Sequence, residues 1–267
     1  MMVTTVALPT ILAPHWAQSA TPPLPSVETV LQRMLERAQQ EEADQEEFKQ
    51  CYSYTRTRVT EYRNGEGDLK KRKAKTRVNN PTLIPVIFHP PPKVEREPVA
   101  IPDKSQPLSD TQTNVRGRAF EKSDFPLNDD LLKRFDFTLS GREVINGRPT
   151  LVVDFKPVSP KPPERNIKDR FINKAAGRAW VDELEYALVK ADLHLTERVN
   201  VVGGLVGAVS KFTLFLERQR TPEGLWFTRN QDWHLEGREV FIHRKVDFHE
   251  EYKHVRKVRE PETSQLR

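Results

Sequence analysis

His249 and His254 bracket the run HEEYKH, a pattern close to one that holds catalytic zinc. A zinc-protease helix sets its two histidines four apart, so that both imidazoles leave one face with a glutamate between them as base. Here the spacing is five. On a helix the two rings diverge by roughly 140°, and on a strand they point to opposite faces. This pair does not make a metal site. His89, His194, His234 and His243 are scattered without ligand spacing, and read as surface or partly buried histidines. The single cysteine, Cys51, excludes an internal disulfide framework and any multi-cysteine metal site. It reads as a small core residue. No metal or cofactor is implied.

Gly203, Gly204 and Gly207 in GGLVG lack the glycine spacing of a dinucleotide loop, and no strand–helix–strand unit surrounds them. The motif sits in the apolar stretch VNVVGGLVGAVSKF between two strands. It reads either as a wide turn tucked into the core or as a gate at the mouth of a cavity. In the second reading Gly203 and Gly204 supply hinge freedom, and Leu205, Val206 and Val209 meet a greasy ligand. Neither a G-x-S-x-G elbow nor a phosphate-binding loop occurs, and spacing singles out no pair of acids. The chain therefore reads as a non-enzyme. Tyr52 and Tyr54 beside Arg56 and Arg58 have the chemistry to stack bases. The recognised RNA-binding strand motif is absent, however, and nucleic acid is not expected as a partner.

The elements that must position any site follow from periodicity. The chain has 267 residues, 36% hydrophobic and 30% charged, and 21 prolines. That suits a soluble chain with a moderate core, and no run of 18 apolar residues marks a membrane span. The net charge of +5 favours acidic partners only weakly. The first 27 residues carry no charged side chain, and Ala17-Gln18-Ser19 offers the small-x-small pattern of a cleavage site. Residues 1–19 are expected to be a signal peptide, despite the missing basic start, and to send the protein to the periplasm. No cysteine stands near the site, so no lipid anchor is expected there.

Residues 26–50 predict one helix, with Ser26 as N-cap and an apolar stripe of Val27, Val30, Leu31, Met34, Leu35 and Ala38. The period then changes to two. CYSYTRTRVTEY (51–62) and DLKKRKAKTRV (68–78) flank RNGEG, where Asn64-Gly65 suits a hairpin turn. Residues 51–79 hold nine Lys or Arg against three acids. This basic first hairpin reads either as an exposed face whose charges discourage edge pairing or as a docking strip for an acidic surface. Eight prolines in 80–107 exclude a central strand and mark a proline-rich insertion. Asn128 caps a short helix over 128–135. Strands follow at FDFTLSGREVIN and RPTLVVDFKP, joined through Asn146-Gly147, and RNIKDRFINKAA predicts another short helix. Then come a hairpin over 177–197 with an acidic turn (Asp182-Glu183-Leu184-Glu185), and strands at 210–219, 225–235 and 239–252, the last two separated by EGR. Val189, Ala191, Leu193 and Leu195 are expected on one face. The tally is eight or nine mostly antiparallel strands: an α+β fold with a large curved antiparallel sheet, helices covering its concave side. Residues 26–258 form a single domain in this reading, and 259–267 a charged tail.

FDFTLSGREVINGRPTLVVDFKP followed by AGRAWVDELEYALVKADLHL resembles the outer-membrane lipoprotein-sorting proteins, the LolA/LolB-like superfamily. Gly177, Arg178, Trp180, Val181 and Asp182 carry the match, which covers roughly residues 128–258. The resemblance implies an eleven-stranded half-open barrel with an apolar cavity for acyl chains, and a cavity arginine for which Arg56, Arg58 and Arg142 are all candidates. It implies a periplasmic, monomeric, non-catalytic carrier or binder of lipidated protein or lipid, in transient contact with a membrane or a membrane-bound partner. The expected cavity residues are Val189, Leu193, Leu195, Phe212, Leu214 and Leu216, with Gly203, Gly204, Leu205, Val206 and Val209 as the gate. The alternative is an envelope regulatory or structural module that binds a protein partner through its basic first hairpin.

Overall fold

The computed structural model describes residues 22–81, 127–201, 207–239 and 241–258. The expected signal peptide, most of the proline-rich insertion, the charged tail, and Gly203, Gly204, Leu205 and Val206 lie outside those residues.

The expected single helix is two: α1 (Val27–Ala38) and α2 (Glu41–Cys51). Ser26 caps α1, its hydroxyl accepting from the Thr29 N–H at 3.2 Å. Val30, Met34 and Ala38 are the buried edge of the predicted stripe. The next large apolar residue, Phe48, would lie roughly 80° away from Ala38 around an unbroken helix. The break at Gln39-Gln40 turns Phe48 and Cys51 into a core of their own. There Phe48 stacks on Tyr52, Tyr54 and Phe227 at centroid distances of 5.1, 5.2 and 4.5 Å.

Ten antiparallel strands follow in one sheet: β1 (Tyr52–Asn64), β2 (Leu69–Asn79), β3 (Phe135–Ile145), β4 (Arg148–Pro157), β5 (Ala175–Asp182), β6 (Leu188–Leu195), β7 (Val199–Val201), β8 (Gly207–Arg220), β9 (Trp226–Glu239) and β10 (Ile242–Lys257). The spatial order is β2-β1-β10-β9-β8-β6-β5-β4-β3, with β7 paired to β8. The chain thus makes one hairpin, resumes at the opposite edge, and meanders back until β10 lies beside β1. Strands β2 and β3 remain as edges, so the sheet is open. Ten described strands stand against the eleven that the resemblance implies. Short helices α3 (Asp129–Leu132) and α4 (Ile167–Ile172) start at Asn128 and Asn166, whose side chains accept from the N–H groups three residues on.

Turn chemistry holds at Asn146-Gly147, with φ of 51° and 76°. It differs in the first hairpin. The positive φ falls on Gly67 at 99°, not on Asn64-Gly65, because Asn64 closes a longer loop by accepting from the Asp68 N–H at 2.8 Å. EGR at 236–238 is the end of β9 rather than a turn.

The acidic turn after β5 clasps four other strands. Asp182 is fully buried. It accepts from Arg148 of β4 at 2.6 and 2.9 Å, and from the Leu184 and Glu185 N–H groups at 3.0 and 2.8 Å. Glu183 takes Arg142 of β3 at 2.6 Å, and Glu185 takes Arg220 of β8 at 2.7 Å and the Trp226 indole of β9 at 2.7 Å. Burial pushes the Asp182 carboxyl up, but the Arg148 guanidinium and the two backbone donors outweigh it and leave it below the ordinary aspartate value. A depressed folded value stabilises the fold above the unfolded value and loses that stabilisation as pH falls through the folded one. Asp182→Asn is therefore expected to cost about 2–3 kcal/mol near neutral pH. In urea titrations the gap between variant and parent should narrow toward acid pH; a gap that widens there would contradict the assignment.

Candidate functional site

Helices α1, α2 and α4 all pack on one face of the sheet, its inner face. Met34 and Val30 of α1 meet Leu151, Val153 and Val181, with Phe137, Leu139 and Leu188 around them. Phe171 of α4 meets Phe212 edge-on at 6.2 Å and, with Ile167, packs beside Leu193 and Leu195. What seats α4 is a buried arginine. Arg134, 3% exposed, donates to Asn173 at 2.9 Å and pairs with Asp169 at 3.3 Å.

Registers arrange the inner face into rows that run across the strands. One row is Phe137, Phe155, Gly177, Leu193, Leu214, Trp233, Phe248 and Thr60. It is apolar from one edge of the sheet almost to the other. Trp233 and Phe248 stack at 5.4 Å. Gly177 is required by this row: a Cβ there would stand 2.1 Å from the Asp192 carbonyl oxygen and 2.8 Å from the Phe155 ring. The adjacent row is Val153, Ala179, Ala191, Leu216, Gln231, Glu250 and Arg58. Its middle is built of small side chains. Ala179, Ala191 and Leu216 are half-buried and stand outside the packed clusters under α1 and α4. Its far end is polar. Glu250, 3% exposed, is paired with Arg58, and Gln231 is buried beside it. Arg56, one row on, donates to the Tyr252 hydroxyl at 3.3 Å. Burial, and then the charge of Glu250, push that phenol up, so it stays neutral.

The expected cavity residues are thus divided. Leu193, Leu195, Phe212, Leu214 and Leu216 share the inner face; Leu193 and Leu195 are half-buried, whereas Phe212 and Leu214 are 2% and 8% exposed. Val189 does not join them. A register shift between Trp180 and Val181 puts an extra residue into β6, and Val189 packs with Val152, Trp180, Ala187 and Trp226 on the outer face. Val209, expected in a gate loop, is the third residue of β8, pairs with Val199 and is buried in the core. Of the three candidate arginines, Arg56 and Arg58 are on the inner face. Arg142 is bound to Glu183 and to the Pro22 and Pro23 carbonyls. Sequence reasoning missed Glu250 and Gln231, because acid and amide in alternating strands read as solvent-facing; only the odd–even phase set by Phe248 points them inward.

The outer face is charged. His234 bonds Asp247 and His249 bonds Asp232, both at 2.6 Å, and His234 also reaches Glu236 at 2.9 Å. The imidazole beside it holds the Glu236 carboxyl below its ordinary value. His234, His249, Asp232 and Asp247, with Val59, Asp192 and Phe215, bound a depression of about 690 Å³. Four carboxylates line it, Glu61 among them, which suits no acyl chain.

No protein-family model and no curated protein matches the chain. Solved structures to which it is similar include a LolA superfamily protein from Nitrosomonas europaea (14% identity, 89% of this chain and 97% of that one, TM-score 0.34). A putative outer-membrane lipoprotein-sorting protein domain from Vibrio parahaemolyticus is similar too (12% identity, 88% and 96%, TM-score 0.31). So is a DUF1329 family protein from Desulfovibrio piger (13% identity, 85% and 92%, TM-score 0.31). These likenesses carry no residue roles to this chain.

Gly177→Ala is expected to lower stability by about 1–3 kcal/mol, since the new methyl meets a backbone oxygen that cannot swing aside. Thermal unfolding of this variant against Ala176→Gly, one residue away on the outer face, measures the difference; equal losses would deny the close approach.

Proposed function

We propose that the protein is an exported, periplasmic, non-catalytic carrier or binder of acyl chains, belonging to lipidated protein or free lipid. What supports this reading is the inner face: an apolar row crossing seven strands, with α1 packed at its Phe137 end and α4 beside Leu193, and a neighbouring lane of Ala179, Ala191 and Leu216 only half covered. An acyl chain asks for no more than this. Each methylene taken from water contributes about 0.8 kcal/mol, and no reacting group is needed. Leu193, Leu195 and Leu216 are the proposed contacts at the accessible part of the face, with Phe212 and Leu214 behind them. The Arg58–Glu250 pair, its carboxylate buried at the end of the lane, would set the limit of the apolar track and hold no acyl chain itself. Among the described residues no helix is long and apolar enough to cross a membrane.

The test is native mass spectrometry of the full chain purified without detergent, followed by titration with a diacylated lipopeptide. Co-purified acyl species, or saturable uptake, is the expected result. It should be lost in Leu193→Glu and in Leu216→Glu, each first shown to fold by circular dichroism. A clean mass that takes up no lipopeptide, in a folded parent protein, would sink the reading.

A further inference from the structure

The two edges of the sheet are treated differently. On β3 the register shifts between Leu139 and Gly141, and Arg142 reaches from the strand to the Pro22 and Pro23 carbonyls. That edge is bent and occupied. Strand β2 carries its one register shift at its very start, where Tyr62 pairs with Lys71 and Arg63 with Leu69. It pairs with β1 without a shift from Tyr54–Asn79 to Tyr62–Lys71, and every residue from Leu69 to Val78 is exposed. Among the described residues its outer edge pairs with no strand. Alternate N–H and C=O groups along that edge therefore face solvent, a template for one more strand.

The side chains state which strand. The register with β1 puts Lys71, Lys73, Lys75 and Arg77 on the inner face, opposite Tyr62, Thr60, Arg58 and Arg56. Lys73 lies over the Tyr62 ring at 5.6 Å. Lys71, Lys75 and Arg77 meet no carboxylate among the described residues. Ala74, Thr76 and Val78 follow one another on the outer face, Val78 being 71% exposed. From Lys73 to Val78 the edge is thus two-sided, with cations at every second position on one side and small or β-branched residues on the other; Arg72, before them on the outer face, is paired with Glu61. A second copy of this chain, paired antiparallel, would set lysine against lysine, and directly opposed like charges destabilise a strand pair.

We propose that the outer edge of β2 docks an extended acidic peptide by strand addition, the peptide alternating acidic with small apolar residues. Its carboxylates stand beside Lys71, Lys73, Lys75 and Arg77, and its apolar residues beside Ala74, Thr76 and Val78. Its backbone completes the ladder that β2 leaves open. This surface is separate from the acyl lane and does not depend on the carrier reading. A flat anionic membrane would use the same lysines but make no use of the open ladder or of the apolar side.

The experiment is fluorescence anisotropy of the full chain with a labelled peptide alternating Glu with Val. Three comparisons accompany it: the same peptide N-methylated at alternate residues, a block peptide of the same composition, and vesicles containing phosphatidylglycerol. Strand addition predicts saturable binding that falls at least about tenfold on N-methylation and in the block peptide, since each loses ladder or register. The double variant Lys73→Glu/Lys75→Glu should lose binding at unchanged Tm, and Lys73→Arg/Lys75→Arg should keep it. Equal binding of the N-methylated and unmodified peptides overturns the proposal in favour of loose charge attraction. Vesicle binding that the peptide does not displace, with no peptide binding, overturns it in favour of a membrane surface. A dimer by sedimentation that Lys73→Glu/Lys75→Glu abolishes overturns it in favour of self-pairing. Absence of peptide binding at low ionic strength overturns it outright.

Discussion

The turn at 182–185 is the constraint on which the sheet's far half depends. Three carboxylates spaced over four residues each hold an arginine from a different strand: Asp182 holds Arg148 of β4, Glu183 holds Arg142 of β3, and Glu185 holds Arg220 of β8. Strands β3 and β8 do not touch in the sheet order, so the turn ties together strands that no ladder joins directly. Exposed ion pairs are worth little singly. These are half-buried or better and share one loop, and Asp182 also closes that loop by taking two backbone N–H groups. A single side chain thereby fixes the loop and its attachment together.

Register carries that constraint to the inner face. A one-residue slip in any ladder exchanges Leu193, Leu214 and Trp233 for Asp192, Phe215 and Asp232, so the buried and charged faces cannot be mixed gradually. Shifts occur where the two faces must be re-phased. The one between β5 and β6 moves Val189 to the outer side, where Trp180 has room for it and Lys190 lies over the indole at 4.2 Å. Gly177 answers the same demand from the opposite direction: it keeps phase but yields its side chain so that Phe155 can enter the row.

Much of this was legible in the sequence, and for physical reasons. Strands with strict alternation announce their faces, so alternation alone puts Leu193 with Leu195 on β6, and Phe212 with Leu214 and Leu216 on β8, as the registers do. Asn146-Gly147 announced its turn because those residues tolerate the required φ. What alternation cannot show is a bulge, since an extra residue leaves no mark of its own type; Val189 was misplaced for that reason. The break after Ala38 was hidden because both halves suit a helix, and only the position of the Phe48 core decides where the axis turns. The pairing of β1 with β10 has no local signal at all. The same is true of the Arg58–Glu250 pair, whose members are 192 positions apart.

On the proposed carrier reading, the division of the inner face also bears on how an acyl chain would leave it. Trp233, Phe248 and Phe212 are 2–3% exposed and already satisfied by one another, so they have little apolar area left to offer. The partly open area is the lane of Ala179, Ala191 and Leu216 between the α1 and α4 patches, with the half-buried Leu193 and Leu195 beside it. A chain laying down about ten methylenes there would gain about 8 kcal/mol, and association itself costs at least about 4 kcal/mol. On the carrier reading, gain and cost are thus of the same order, which suits a ligand that is bound and then handed on. A wider or emptier face would gain more from each ligand, so on the carrier reading the partial filling by Phe171 and Met34 limits the contact area.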